Sequence, residues 1–288
     1  MRPFSLAELR RCFAEELRAT APVRFSEAVV DAFATVPREA FFGPGPWRVL
    51  PSKSLDSAYV TPDADPRWLY HDVLISIDHQ RGINNGEPGL WARLFDKTPI
   101  RPGDRIMQVG SGTGYYTAIM AELVGSKGHV IAVEYAPDLA DEARKNLAPW
   151  PQVDVVRGDG TVYDPGLVDV VVVFAGATHP AKIWLDRLSE DGRLLMPLTD
   201  DNHHGFFLKA TRHGTAFDAT SLGSCGFIHC IGNRDMRAAK RLHRCLRLLE
   251  GRPIPIRSLH QGTPSSEQKG QVWFAASGFW LSQRNWSA

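Results

Sequence analysis

Residues 106–125, IMQVGSGTGYYTAIMAELVG, run from an apolar segment through three glycines at alternate positions, Gly110, Gly112 and Gly114, into a helix-like stretch. A turn between a buried strand and the next helix leaves free amide groups at the positive end of the helix. Glycines in that turn let the backbone come close to a ligand. Such a turn favours a nucleotide-like molecule. Two ligand classes compete for it, and spacing separates them. The dinucleotide fingerprint is GxGxxG, whereas here the third glycine falls one position early and Tyr115 stands where the last glycine would be. A nicotinamide cofactor is the weaker reading on that count.

Working outward, HVIAVE (129–134) ends on Glu134, at the close of the next strand, where a carboxylate can accept hydrogen bonds from both hydroxyls of a ribose. VVRGDGTV (155–162) then places Asp159 and Gly160 just past a third strand, on the same carboxyl edge of the sheet. Ligands of open α/β sheets bind at that edge, and Asp159 can accept from an adenine amino group there. Beyond Pro102, short apolar runs alternate with helical stretches, the signature of a mostly parallel sheet with helices on both faces. DVVVVF (169–174) is continuously apolar, as expected of a central strand covered on both sides. HGFFLKATRHG (204–214) and TAFDATSLGSCGFIHCIG (215–232) read as strands joined by turns, forming an antiparallel edge.

The flanks are less regular. Leu6, Leu9, Phe13 and Leu17 recur at helical spacing over 5–18, with Ser5 and Glu8 as a capping box, and a second helix is predicted over 26–35. Residues 36–68, dense in proline, glycine and aromatics, read as irregular chain packed on the body through its rings. A basic helix is predicted over 236–250, and the aromatic segment GQVWFAASGFWLS (270–282) reads as a strand or packed segment. The predicted organisation is an N-terminal helical and irregular segment over 1–100, a ligand-binding core over 101–235 and a C-terminal extension over 236–288.

At 288 residues, 43% hydrophobic and 23% charged, with a formal net charge of +1, the chain reads as an ordinary globular protein without the basic excess of nucleic-acid binders. The four cysteines form no CxxC pair and no zinc pattern, which fits a reducing cytoplasm. The charged N-terminus lacks the apolar core of a signal peptide, and no run approaches a membrane span. Neither a nucleic-acid nor a membrane partner is expected.

The order strand, GxGxG, acid at the end of the second strand and Asp-Gly after the third resembles S-adenosylmethionine-dependent methyltransferases. That resemblance implies a Rossmann-like fold and S-adenosyl-L-methionine as cofactor, held by Gly110, Ser111, Gly112, Gly114, Glu134, Asp159 and Gly160. Further stretches are similar to the protein-L-isoaspartate O-methyltransferase family. They are AFATVPREAFF (32–42), Tyr70 and Asp72 in LYHDVLISI (69–77), the glycine turn itself and DGRLLMPL (191–198). The likeness covers about residues 25 to 235. It departs at NNGEPGLWARLF (84–95), where Gly86 stands at the position of the family's Ser-x-Pro hydroxyl while Pro88 is retained.

That departure leaves Asn85, Gly86 and Pro88 as the expected catalytic loop. Asn84 and Asn85 offer amide donors, Gly86 offers its own N–H, and Glu87 is an acceptor for the ammonium of the cofactor's methionine half. The plainer reading is a tight turn ahead of a helix over 88–96. The resemblance implies methyl transfer to an oxygen nucleophile, a carboxylate of a peptide, protein or small acid, with general isoaspartyl repair put in doubt by Gly86. A carboxylate is already ionised at neutral pH and needs alignment more than a base. The rival readings are a catalytically silent adenosyl-binding protein and a nicotinamide oxidoreductase. His203, His204 and His213 lack the partners of a metal site, so no metal is expected. His71, His79 and the basic helix are assigned to packing and to a solvated face, and the role of Tyr115 and Tyr116 stays open.

Overall fold

The computed structural model describes residues 5–21, 23, 24, 26–51, 57–276 and 278–285. Contacts divide the chain into two units. One holds the described residues up to Gly103 with Ser111–Ala132 and Ala136–Val155, and the other holds Asp104–Gly110, Val133–Tyr135 and the described residues from Val156 onward.

In the first unit, α1 (Leu6–Thr20) starts at Ser5 with both halves of the capping box in place, and α2 (Glu27–Thr35) is capped by the Ser26 side chain. Strands β1 (Arg48–Leu50), β2 (Tyr59–Val60), β3 (Leu74–Asp78) and β4 (Ile83–Asn84) form a small antiparallel sheet in the order β2-β1-β3-β4. The expectation of irregular chain over 36–68 is corrected here. This stretch supplies β1 and β2: Val49 of β1 and the preceding Trp47 are buried with Leu69 and Ile75 in a local core, and β2, exposed at both residues, is added by antiparallel pairing with β1. Residues 52–56 of that stretch lie outside the described residues.

Arg38 is fully buried. Its guanidinium donates to the carbonyls of Leu69 (2.5 Å), His71 (2.7 Å) and Val73 (2.8 Å), a fork that needs an arginine and ties the segment after α2 to the approach of β3. Helices α3 (Pro88–Lys97), α4 (Tyr115–Val124) and α5 (Pro137–Asn146) complete this unit. Tyr115 and Tyr116 of α4 sit in an aromatic cluster with Phe33, Phe41, Trp91 and Phe95.

The large sheet has ten strands, in the order β13-β14-β12-β11-β10-β9-β8-β5-β6-β7. These are β5 (Arg105–Val109), β6 (His129–Glu134), β7 (Val153–Arg157), β8 (Val168–Val173), β9 (Leu188–Thr199), β10 (His204–His213), β11 (Ala216–Gly226), β12 (Ser258–Gln261), β13 (Val272–Ala276) and β14 (Phe279–Ser282). β5 and β9 run parallel to β8, which is buried along its length as its valine run predicts. From β9 onward every pairing is antiparallel, so the antiparallel part is broader than an edge and takes in β12 to β14. The sheet is mixed, with α6 (Lys182–Asp186) and α7 (Met236–Leu248) among its connections. Among the described residues, no helix is long and apolar enough to cross a membrane.

Candidate functional site

In the second unit, three strand ends meet at one edge. Gly110, just past β5, donates its N–H to Val133 O at 2.8 Å, and Gly158, just past β7, donates to Glu134 O at 2.9 Å. Gly110, Glu134 and Asp159 are thereby brought together on the carboxyl rim, as their spacing predicts. Gly110 has φ +82, and a Cβ there would meet only Phe174 at 3.7 Å, so conformation and not crowding demands glycine. Gly160 is different. A Cβ would lie 2.8 Å from Val109 Cγ1, and its carbonyl accepts from the buried Trp184 indole at 2.7 Å, so packing requires this glycine. Glu134 is buried, at 7% exposure.

The segment 227–235, between β11 and α7, straps this edge. Gly176 N–H donates to Ile228 O (2.7 Å) and Cys230 N–H to Gly176 O (2.9 Å), forming a short parallel bridge. Arg234 donates to the carbonyls of Gly176 and Thr199, both at 3.1 Å, and to Thr199 Oγ1 at 2.8 Å. Burial, with the Asp159 charge second, pushes the Cys230 thiol up to about 12, so it is no nucleophile at neutral pH. This strap has no signal in the sequence that ties it to Asp159.

In the first unit, the glycine turn continues through Ser111, Gly112 and Gly114. Gly112 has φ +55, with only Ile77 Cδ1 near a would-be Cβ (3.7 Å), whereas Gly114 (φ +99) is also filled from outside by Leu147 Cδ1 at 2.8 Å. The turn is held by Gly114 N–H to Ser111 O (3.0 Å) and by Asn146 Nδ2 to Thr113 O (3.0 Å). Ser111 Oγ and Asn85 Nδ2 are buried and have no protein partner among the described residues. Two such orphaned groups suit a polar ligand.

The 84–88 loop is tightly built. Asn85 pairs with Ile75 twice, N–H to Ile75 O at 3.1 Å and Oδ1 from Ile75 N–H at 2.6 Å. Gly86 does not offer a free N–H, contrary to expectation, because it donates to Asn84 Oδ1 at 2.9 Å. Its carbonyl accepts from the Tyr116 hydroxyl at 3.0 Å. With φ +79 and a would-be Cβ 2.7 Å from Trp91 Nε1, the position admits no serine in this backbone, which explains the departure at Gly86 physically. Burial holds the Tyr116 hydroxyl well above the usual tyrosine value, so it stays protonated and keeps the hydrogen it donates to Gly86.

Glu87 is the N-cap of α3 but its side chain makes no cap bond, and Pro88 takes the first helical position. Asp72 caps instead, accepting from Gly89 N–H at 2.6 Å. Of the histidines, His71 and His79 are exposed, His213 lies between Asp191 (3.4 Å) and Asp218 (3.3 Å), and His203 stacks on His229 at 3.9 Å.

An open α/β sheet with a glycine turn after one strand and buried or half-buried acids after the next two defines a Rossmann-like protein of the methyltransferase class. A solved protein-L-isoaspartate O-methyltransferase shares the fold, with a TM-score of 0.66 at 23% identity over 88% of this chain and 74% of that one. So does a Plasmodium falciparum protein solved in complex with S-adenosyl-L-homocysteine, with a TM-score of 0.62 at 20% identity over 78% of this chain and 99% of that one. The family model described as Protein-L-isoaspartate(D-aspartate) O-methyltransferase (PCMT) matches residues 12–235. Protein-L-isoaspartate O-methyltransferase 1 of Archaeoglobus fulgidus is 30% identical over 234 residues, 80% of this chain and 96% of the relative. The Methanopyrus kandleri protein-L-isoaspartate O-methyltransferase is 32% identical over 228 residues, 77% and 91% of the two chains. The chain belongs to the protein-L-isoaspartate O-methyltransferase family.

Proposed function

We propose that the protein transfers a methyl group from S-adenosyl-L-methionine to a carboxylate of a polypeptide acceptor. The observation that carries this reading is the convergence of Gly110, Glu134 and Asp159 on one carboxyl rim in a chain of a carboxyl-methylating family. Membership supports S-adenosyl-L-methionine as the methyl donor, and the Plasmodium falciparum structure with the shared fold holds the demethylated form of that molecule. When bound, the cofactor supplies an electrophilic methyl on a sulfonium, which a carboxylate oxygen takes while the sulfur keeps the bonding pair and leaves as a thioether.

The chain's own residues bind and orient. Glu134 accepts from the ribose hydroxyls, and Asp159, beside Gly160, accepts from the adenine amino group. Gly110, Ser111 and Gly112 present backbone and hydroxyl groups to the methionine half, Gly114 shapes the turn, and Glu87 accepts from its ammonium. Asn85 Nδ2, buried without a protein partner among the described residues, donates to the acceptor carboxylate, and the Gly86 turn with Pro88 fixes where that amide points. No general base is needed, since the acceptor is ionised at neutral pH.

The test is incubation of the purified chain with labelled S-adenosyl-L-methionine and an isoaspartyl peptide, an aspartyl peptide and a small dicarboxylic acid. Base-labile ester on either peptide supports the reading. Ester on the small acid alone would move the acceptor class, and no ester together with no S-adenosylhomocysteine binding would remove the proposal.

A further inference from the structure

The family match ends at residue 235, and α7, β12, β13 and β14 all lie beyond it. Along its 13 residues, about 20 Å of helix, α7 carries Arg237, Lys240, Arg241, Arg244 and Arg247 and no acidic residue. Among the described residues, none of these five has a carboxylate within ion-pair distance, whereas Arg11, Arg81 and Arg187 elsewhere each do. The chain as a whole is formally +1, so this helix is far more basic than the chain's average.

Beside that helix, a groove of about 520 Å³ opens between α7 and β13, lined by Arg241, Arg244, Cys245, Leu248, Val272 and Trp273. Leu248 is 73% exposed. β13 is the last strand of the sheet, but its carbonyls at Trp273 and Ala275 already accept from Cys245 Sγ (3.4 Å) and Arg241 Nε (3.1 Å). A guest is therefore held here by its side chains and not by adding a strand. Apolar walls flanked by guanidinium groups that lack carboxylate partners call for an occupant with carboxylates and at least one apolar side chain.

We infer that this groove docks an acidic peptide segment bearing an apolar residue. Carboxylates of the segment pair with Arg244 and its neighbours along the helix, and its apolar side chain covers Leu248, Val272 and Trp273. A phosphate backbone would meet the same charges but leave those apolar walls uncovered. Trp273 itself is half-buried, packed edge-on to Phe206 at 5.8 Å and beside Phe274 at 6.2 Å, so it is a wall of the groove and not an open platform for a base. The docking stands apart from methyl transfer and is read by binding alone.

Fluorescence anisotropy on the full chain tests it, with a short labelled peptide of Asp and Glu interrupted by Leu and Phe. Comparison probes are the same peptide with Ser at the apolar positions and a single-stranded oligonucleotide of equal charge. Saturable binding of the first peptide, weakened about tenfold by Arg244→Glu and again by Leu248→Asp, supports the inference. Both side chains are exposed, and matching melting curves exclude loss of fold as the cause. Equal binding by wild type and Arg244→Glu would overturn it. So would tighter binding of the oligonucleotide, or indifference to the apolar residues of the peptide.

Discussion

Gly232 abuts the Asp159 carboxylate: a Cβ at Gly232 would stand 3.0 Å from Asp159 Oδ2 and 3.3 Å from Thr161 Oγ1. The strap between β11 and α7 thus leaves no room for a side chain at Gly232 beside the acid proposed to read adenine, whose Oδ1 accepts from Thr161 N–H at 2.8 Å. Gly232→Ala is expected to turn that carboxylate and weaken S-adenosylhomocysteine binding about tenfold, or ~1.4 kcal/mol. Gly251 supplies a matched control, since it has the same φ of +84 with nothing within 4 Å. Gly251→Ala carries the backbone strain alone, about 1–2 kcal/mol of stability. Calorimetric titration of both variants decides the matter, and an equal effect on affinity would mean that the Asp159 contact has no role in binding.

The closed turn at Gly86 predicts that restoring a hydroxyl there fails. Gly86→Ser forces a side chain into Trp91 at a positive φ and is expected to cost about 1–3 kcal/mol, with no gain in ester formation on an isoaspartyl peptide. Tyr116→Phe removes the donor to Gly86 O and is expected to cost about 0.5–1.5 kcal/mol. Urea denaturation and initial rates check both. A Gly86→Ser protein as stable as wild type and faster would show that the loop readily adopts another conformation.

Asp72 and Gly89 form a cap that joins two segments distant in sequence. Asp72→Ala is expected to lower stability by about 1–2 kcal/mol through the lost cap on α3. Gly89→Ala places a methyl 2.4 Å from Asp72 Oδ2, so its cost should shrink in the Asp72→Ala background. A double-mutant cycle measured by denaturation should give a clearly nonzero coupling; strict additivity of the two changes would count against the contact.

The pH dependence of stability follows from three histidines. Burial holds His179, His229 and His260 below the usual histidine value of 6.5. Each is neutral in the folded protein where the unfolded chain begins to bind a proton. Stability is therefore full above about 6.5 and falls as pH drops from there toward the depressed values. Melting temperature should decline over that window. His260→Gln, which removes the ring stacked on Trp280 at 4.0 Å, should flatten part of the decline. A melting temperature level from neutral pH down through that range would contradict the assignment.

Local pattern carried a large part of this protein. The period-two and period-3.6 runs gave the α/β alternation, and Ser5 with Glu8 gave the cap of α1, because both depend on residues within a turn or two of each other. Gly110, Glu134 and Asp159 were legible for the same reason, each falling at the end of its own strand. Tertiary structure decided the rest. The pattern around Gly86 does not reveal that Tyr116, thirty residues on, bonds its carbonyl or that the ring of Trp91 folds back over its Cα, and nothing near Asp159 announces Gly232. β1 likewise rests on a local core that buries Val49 with Leu69 and Ile75, and β2 on its pairing with β1. Composition and period encode how a segment prefers to fold, whereas which distant atoms come to occupy the space beside it is settled only when the chain packs.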